Sequence, residues 1–186
     1  GFKMARAIRA DKINMDCITI YPNGIEVRPG RSMDTTGSST LAVRNSVIYV
    51  NSDGRRFINE NSSLKDLARA TLAQKNYIMY LVMDDAAWKI YQKKAVDGHT
   101  VTSAAIFESW KSIRNHSRPV ICEGTIDHCA SEMGIDAAGL NKTIADWNAS
   151  VKAGEDKAFG RKTLKAIGAG PYHIVEQKGR YQTTLG

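Results

Sequence analysis

The chain has 186 residues, of which 42% are hydrophobic and 24% are charged, which is ordinary for a globular protein and enough for one domain with a sizeable core. No apolar run approaches the roughly 20 residues of a membrane-spanning helix, so the sequence predicts no membrane span. The formal net charge of +7 comes from scattered lysines and arginines, and no nucleic-acid-binding motif contains them. We therefore expect no nucleic-acid partner and a surface with some preference for anionic ligands.

The cysteines and histidines do not predict a metal site. Cys17, Cys122 and Cys129 are odd in number and widely spaced, without a CxxC pair or a zinc-ligand spacing. The four histidines are isolated from one another along the chain. We interpret the cysteines as small core residues and predict no structural metal.

The first elements are a helix, two strands and a loop. Residues 1–10 resemble the body of a helix, although no capping residue precedes it. A strand is predicted at Ile13–Tyr21, a turn at Pro22–Gly24 and a short strand at Ile25–Val27. The polar stretch Arg28–Ser39 is predicted to be a long loop, a feature that is often functional in a compact domain.

A β-hairpin is predicted next. Ser46–Asn51 is rich in β-branched and aromatic residues, and the Asp-Gly pair at Asp53 and Gly54 is a strong hairpin signal. The second strand of this hairpin is predicted at Phe57–Glu60. From spacing alone, this would be an ordinary surface hairpin.

The rest of the chain alternates predicted helices with short strands. The helices are predicted at Leu64–Gln74 after a serine cap, at Ala86–Ala95 after Asp84 and Asp85, at Thr102–Ile113, from Thr125 to near Gly134, and at Ala137–Val151 between Asp136 and Gly154. The strands are predicted at Tyr77–Met83, which is continuously apolar and therefore central, and at Val120–Cys122, Pro171–Val175 and Arg180–Leu185. This order predicts an α+β domain, residues 1–186, with helices packed on a small mixed or antiparallel sheet.

Five stretches of the sequence together carry a family resemblance. They are Gly1–Ala5; Met15–Gly24; Val50-Asn51-x-x-Gly54-x-Arg56-Phe57-x-Asn59-Glu60; Thr143–Asn148 with Gly154-Glu-Asp-Lys-x-Phe159-Gly-Arg161; and Gly170–Tyr172 with Thr183–Gly186. In this order they resemble the fumarate reductase/succinate dehydrogenase flavoprotein family of the flavocytochrome c type. The resemblance covers nearly the whole chain.

The resemblance implies a substrate-capping domain whose cofactor is FAD. Residues 1–12 would then be a remnant of the connection to the FAD-binding domain. The dinucleotide fingerprint GxGxxG does not occur in the sequence, and that motif places the pyrophosphate on a helix N-terminus. FAD would therefore be bound mainly by a domain outside this sequence, and the fragment alone would be colourless and inactive.

The resemblance also assigns site residues. In the family, hydride passes from the flavin to an alkene carbon, an arginine donates a proton, and histidines and a second arginine hold the substrate carboxylates. Here Tyr21 stands in place of the histidine before proline, and Gln182 and Thr183 replace a histidine pair. Leu64 aligns with the proton-donating arginine, or Lys65 does if one residue is inserted. The resemblance thus implies a reductase or dehydrogenase whose substrate is not fumarate.

The candidate residues fall into three groups. The catalytic candidates are Lys65, Arg44 (on the family's proton path, with Leu41 in place of its acidic partner) and Tyr21; the substrate-binding candidates are Tyr172, Arg180, Tyr181, Gln182 and Thr183; the cofactor-binding candidates are Thr184 and Gly186. A lysine in the first turn of a helix is more often solvated, and strand tyrosines more often pack.

Two alternatives and several partners remain open. The chain could be a non-catalytic basic module that binds a ligand or partner, or belong to another flavoenzyme such as a ketosteroid dehydrogenase or an amino-acid oxidase. The expected partners are a small-molecule substrate, the FAD-binding domain of the parent chain and an electron-donor protein. The compartment is open between the cytoplasm and the periplasm or cell envelope.

The resemblance makes one geometric prediction. Tyr21 and Gln182 are 161 positions apart, yet their family positions meet at the substrate. The strand that ends at Tyr21 and the strand Arg180–Leu185 should therefore lie side by side. Lys65 or its neighbours should then close the pocket.

Overall fold

The computed structural model describes residues 1–13, 17–34 and 45–184, the last three of these for their backbone alone. The helices are α1 (Phe2–Ala7), α2 (Leu64–Leu72), α3 (Asp85–Asp97), α4 (Ala105–Lys111), α5 (Ile126–Met133) and α6 (Ala137–Ala153). The strands are β1 (Ile18–Tyr21), β2 (Gly24–Arg28), β3 (Arg31–Asp34), β4 (Val47–Val50), β5 (Ile78–Asp84), β6 (Arg114–Asn115), β7 (Arg118–Pro119), β8 (Ile121–Gly124), β9 (Tyr172–Lys178) and β10 (Arg180–Thr184). A single 3₁₀ turn, Lys75–Tyr77, precedes β5.

The centre of the fold is a four-stranded sheet in the order β4-β5-β9-β8, and each neighbouring pair is antiparallel. The longest ladder joins β5 to β9, from Ile78 opposite Lys178 to Asp84 opposite Tyr172. β5 thus has a partner on both edges, which confirms the prediction of a central strand.

Helices cover both faces of this sheet. Met79, Leu81 and Met83 of β5 point into one hydrophobic cluster, which contains residues of α2, α3 and α4. Tyr80 and Val82 point into a second cluster, formed with α5 and α6. Because both faces are buried, β5 is apolar at consecutive positions rather than at alternate ones. Each fully buried large side chain contributes about 1.5–3 kcal/mol. The α+β class is confirmed, and the sheet is antiparallel.

Local signals set the helix ends as the sequence predicts. The N-cap side chains that accept a backbone N–H of the first turn are Ser63, Asp84, Thr125 and Asp136. The C-terminal glycines with left-handed backbones are Gly134 and Gly154. An N-cap of this kind contributes about 1 kcal/mol, so these ends are determined by residues within one helical turn.

The predicted hairpin at Ser46–Glu60 is only half present. β4 forms, but Phe57–Glu60 is not a strand, and the ladder is reduced to one bridge between Val50 and Arg56. The Asn51 side chain accepts the N–H groups of Asp53 and Arg55. Glu60 then turns inward, and its carboxylate accepts the N–H of Tyr49 at 3.2 Å. A buried carboxylate therefore takes the place of a strand partner.

Several predicted boundaries are also wrong. Part of the predicted loop Arg28–Ser39 is the strand β3, which pairs with β2 in a hairpin; residues 35–44 lie outside the described ranges. The first strand begins at Ile18 rather than Ile13, with residues 14–16 again outside the description. The predicted helix Thr102–Ile113 shortens to α4.

The last two strands belong to different sheets. Only Gly179 separates β9 from β10, yet β9 stays in the central sheet while β10 pairs with β1. The chain therefore leaves the core at Gly179 and forms a separate two-stranded ribbon with a segment from near its beginning.

Candidate functional site

The ribbon of β1 and β10 brings distant candidate residues together. The two strands are antiparallel, with Tyr21 opposite Arg180, Ile20 opposite Tyr181 and Ile18 opposite Thr184. The predicted side-by-side arrangement of these strands is confirmed. Tyr21, Arg180 and Tyr181 consequently lie at one end of the ribbon.

Arg180 links this ribbon to the hairpin of β2 and β3. Its guanidinium lies 4.8 Å from the centre of the Tyr21 ring. Its Nε donates to the Asn23 carbonyl oxygen at 2.9 Å, and its Nη2 lies 2.8 Å from a carboxylate oxygen of Asp34. Arg180 packs closely on Gly24, where a Cβ atom would lie 3.2 Å from Arg180 Cβ and Cδ. Asn23 and Asp34 were not among the residues predicted from the sequence, because neither carries a signal that singles it out before the chain folds.

A recess of about 190 Å³ lies beside the ribbon. The residues that line it are Ile20, Leu72, Asn76, Tyr77, Lys178, Gly179 and Tyr181. Tyr181 is 73% exposed, so its hydroxyl is accessible from solvent. The recess is therefore open, with aromatic and lysine side chains at its edge.

Helix α2 lies against β1, and its two ends differ in their surroundings. Leu72, at its C-terminal end, lines the recess beside the ribbon. Lys65 is exposed in the first turn of α2, seven residues earlier and therefore about 10 Å away along the helix axis. Leu64 lines another recess, of about 520 Å³, together with Glu60 and Thr163. Lys65 thus lies on an element that contacts the ribbon, at the end away from Leu72.

The structure does not bring Tyr172 to the ribbon. Tyr172 begins β9, and six residues of extended strand, about 20 Å, separate it from Lys178. It packs against the cluster formed with α5 and α6. Its position suits a packing role at the opposite end of the sheet.

The remaining candidates are not fully described. Gln182, Thr183 and Thr184 lie in β10 by their backbone, but their side chains are outside the description. Arg44 and Gly186 lie outside the described residues. Their roles stay predictions.

The two longest family-like stretches meet in a buried charge network. Arg56 donates to both oxygens of Glu60 at 2.7 Å and to both oxygens of Asp156 at 2.9 and 3.2 Å. Its guanidinium also lies 4.7 Å from the Trp147 ring and 4.9 Å from the Phe159 ring. One positive charge thus joins segments that are 100 residues apart.

Arg161 completes this network. It lies 4.7 Å from the Trp147 ring, and its Nη1 donates to the Val47 carbonyl at 2.6 Å and contacts Glu60 at 3.4 Å. Burial favours a raised pKa for Asp156, but the hydrogen bonds and the charge of Arg56 outweigh it and hold that pKa below its usual value. These motif residues therefore hold the fold together. The feature of the sequence that could have indicated the network is the presence of opposite charges in two family-like stretches.

The described residues do not by themselves form a dinucleotide cradle. Each strand ladder among them is antiparallel, whereas the phosphate-binding turn of a dinucleotide fold lies between a strand and a helix of a parallel βαβ unit. The ribbon instead offers tyrosine side chains, and α2 offers a lysine. These groups can donate hydrogen bonds to a ligand or transfer a proton.

The described part of the chain contains neither a membrane-spanning helix nor a cluster of metal ligands. No helix there is long and apolar enough to cross a membrane. No group of three or more histidine, cysteine, aspartate or glutamate side chains in the same residues is arranged to hold a metal ion. Cys122 and Cys129 are buried in the hydrophobic core, and Cys17 is half-buried.

Comparison with known proteins agrees with this geometry. Residues 1–179 match the FAD binding domain family. The chain is 29% identical to the urocanate reductase of Eggerthella lenta over 185 residues, which are 98% of this chain and 28% of that protein. The open conformation of a flavocytochrome c3 fumarate reductase superposes with a TM-score of 0.72 at 25% identity, over 98% of this chain and 28% of the other.

A second solved structure is shorter, and nearly all of its length is matched by this chain. The solution NMR structure of a fumarate reductase flavoprotein subunit from Lactobacillus plantarum has a TM-score of 0.71 at 29% identity, over 86% of this chain and 99% of that chain. A chain of nearly this extent therefore folds in solution. The present chain spans little more than a quarter of the urocanate reductase and of the flavocytochrome. With its fold and most of its length matched, the chain belongs to the FAD binding domain family, which is represented among its relatives by fumarate and urocanate reductases.

Proposed function

We propose that residues 1–186 form one substrate-capping domain of an FAD-dependent oxidoreductase, with residues 1–12 connecting it to the FAD-binding domain. The observation that carries this proposal is where large apolar side chains remain exposed. Among the described residues, the exposed large apolar side chains form two groups. One group lies in residues 1–13. The other lies on β1, α2, the turn after α2 and β10, and consists of Ile18, Leu64, Leu72, Tyr77 and Tyr181. Exposed apolar side chains gathered on neighbouring elements indicate an interaction surface.

The ribbon of β1 and β10 supplies the substrate-facing residues in this proposal. Tyr21 donates a hydrogen bond to an oxygen of the substrate, and Lys65 supplies a proton from the first turn of α2. Tyr181 pairs with Ile20 and therefore points to the other face of the ribbon, at the edge of the recess beside it. Two recesses lie beside α2, one lined by Leu64 at its first turn and the other by Leu72 and Tyr181 at its opposite end. FAD, the cofactor of this family, supplies the redox chemistry when it is bound to the rest of the parent protein.

We further propose that the substrate carries fewer negative charges than fumarate. A dicarboxylate is held best by cationic groups that form charge-assisted hydrogen bonds of about 1.5–3 kcal/mol each. Tyr21, Gln182 and Thr183 are neutral at positions where the resemblance predicts histidines. An unsaturated monocarboxylate or an unsaturated ketone matches neutral donors better.

The test is a steady-state assay of the full parent protein with a reduced dye as electron donor. Urocanate, acrylate and 2-cyclohexenone are compared with fumarate. The reverse reaction is followed with the saturated compounds and the oxidised dye as electron acceptor. We expect turnover with a compound other than fumarate, and a loss of kcat in Tyr21→Phe. Fumarate turnover above about 1 per second, the ordinary enzymatic range, would contradict the substrate proposal.

The capping role has a separate test. Hydrogen exchange of the parent is compared with and without FAD. We expect backbone amides of β1, β10 and the first turn of α2 to exchange more slowly in the FAD-loaded protein, while those of α4, which packs on the central sheet, are unchanged. Equal exchange of β1 and β10 in both states would exclude a role in closing over the cofactor.

A further inference from the structure

Arg180 has surroundings that do not suit the substrate-binding role predicted from the sequence. The residue is only 8% exposed. Its guanidinium carbon lies over the Tyr21 ring, 4.8 Å from the ring centre, and two of its nitrogens contact the Asn23 carbonyl and the Asp34 carboxylate. A guanidinium binds a carboxylate through its planar fork, and here Asp34 of the same chain already provides that carboxylate.

We propose that Arg180 is a positioning residue that fixes the orientation of Tyr21. This inference rests on the proposed function, in which Tyr21 faces the substrate. Tyr21 and Arg180 are cross-strand partners in the ribbon. Asp34 is the strand partner of Gly24, three residues after Tyr21. Arg180 therefore ties the ribbon to the hairpin of β2 and β3, and Tyr21 lies at the junction of the two.

The stacking determines what this link does to Tyr21. A cation over an aromatic face attracts the ring and resists any rotation that would turn this face away from the cation. With the ring plane fixed, the direction of the phenol hydroxyl is fixed as well. Asp34 acts on Tyr21 indirectly, because it binds the guanidinium of Arg180 and not the tyrosine ring.

Gly24 provides a steric route to the same effect. Its backbone φ lies outside the left-handed region, and a Cβ atom there would be 3.2 Å from Arg180 Cβ and Cδ and 3.1 Å from Ser32 Cβ. Alanine can adopt this backbone without strain, so Gly24→Ala would press against Arg180 and Ser32 and require shifts of a few tenths of an ångström, without changing any charge. It serves as a third variant wherever a charge substitution fails to fold.

The first experiment reads the coupling without any activity measurement. The 186-residue chain is prepared with ¹³C-labelled tyrosine rings and ¹⁵N-labelled arginine side chains for NMR. We expect the Arg180 Nε–H to exchange with water at least about tenfold more slowly than that of exposed Arg31, the factor that corresponds to about 1.4 kcal/mol. Asp34→Asn and Arg180→Lys should both shift the Tyr21 ring signals toward those of exposed Tyr181.

The matched control lies on the same hairpin. Glu26 accepts a hydrogen bond from Lys178 at 2.6 Å, so Glu26→Gln also removes an ion pair between β2 and the rest of the chain. It should leave the Tyr21 signals where they are. Unchanged Tyr21 signals in folded Asp34→Asn, Arg180→Lys and Gly24→Ala chains overturn the inference.

The second experiment separates positioning from a purely structural role. In the parent protein, kcat is measured for Asp34→Asn, Tyr21→Phe and the double variant, with the panel compound that is turned over fastest. We expect Asp34→Asn to lower kcat with little change in KM, and to have no further effect on kcat once the Tyr21 hydroxyl is absent. Additive losses overturn the inference. Full activity of Tyr21→Phe instead removes the proposed role of Tyr21, and the NMR result then decides the coupling.

Discussion

Asp156→Asn tests whether the buried charge network holds the fold together. The Asp156 carboxylate accepts two hydrogen bonds from Arg56 and one from the backbone N–H of Arg161 at 3.2 Å. The side chain of Arg56 is 6% exposed, and those of Glu60, Asp156 and Arg161 are fully buried. Two acids balance two arginines, and the substitution leaves one positive charge without compensation. Breaking a buried pair in this way costs about 3–5 kcal/mol.

Urea-induced unfolding of the chain measures this loss. Asparagine keeps one acceptor oxygen, so we expect about 3 kcal/mol, and at a slope of about 2 kcal/mol per molar urea the midpoint falls by roughly 1.5 M. The control is Asp146→Asn, which removes a pair with Lys142 whose side chains are 64% and 75% exposed; such a pair contributes about 0–1 kcal/mol. A loss below about 1 kcal/mol for Asp156→Asn, or equal losses in the two variants, would refute this reasoning.

Three further predictions concern pH, backbone strain and the cofactor. His173 is buried against Trp88, and burial lowers its pKa below the ordinary value, more than Asp85 and Glu123 raise it. As pH falls, His173 of the unfolded chain therefore takes up a proton before His173 of the folded chain, and the free energy of unfolding should decrease below about pH 6.5. His173→Gln should make this decrease smaller. The same pH profile in the variant and the unaltered chain would contradict the role of His173. Gly54→Ala and Gly154→Ala both place alanine at a positive φ, but of the two only the new Cβ at position 54 would meet backbone atoms, the nearest at 2.3 Å. In thermal or urea unfolding, Gly54→Ala should lower the free energy of unfolding by about 1–3 kcal/mol more than Gly154→Ala does. Equal losses in the two variants would show that the loop around Gly54 relaxes freely. The purified chain should be folded and colourless, and a flavin spectrum in stoichiometric amount would contradict this.

Part of the site could be predicted because the family-like stretches include it. The order of these stretches predicts that the segments ending at Tyr21 and beginning at Arg180 meet, and the structure pairs them. Arg56, Asp156 and Arg161 also lie in these stretches, but the stretches do not show that the three residues belong to one network. Their contacts join positions about 100 residues apart, and spacing along the chain carries no information about such distances.

The sequence by itself determined several helix ends and the central strand of this protein. Caps at Ser63 and Asp136, the glycine that ends α6 and the apolar run of β5 act through neighbours within a few positions, so their signals are complete in the sequence. Tertiary structure alone decided that residues 57–60 do not form a strand beside β4, where a buried carboxylate lies instead, and that Arg180 lies on Tyr21. Each of those outcomes depends on which distant groups share a buried space, because an unpaired charge or backbone group there costs more than a local propensity contributes.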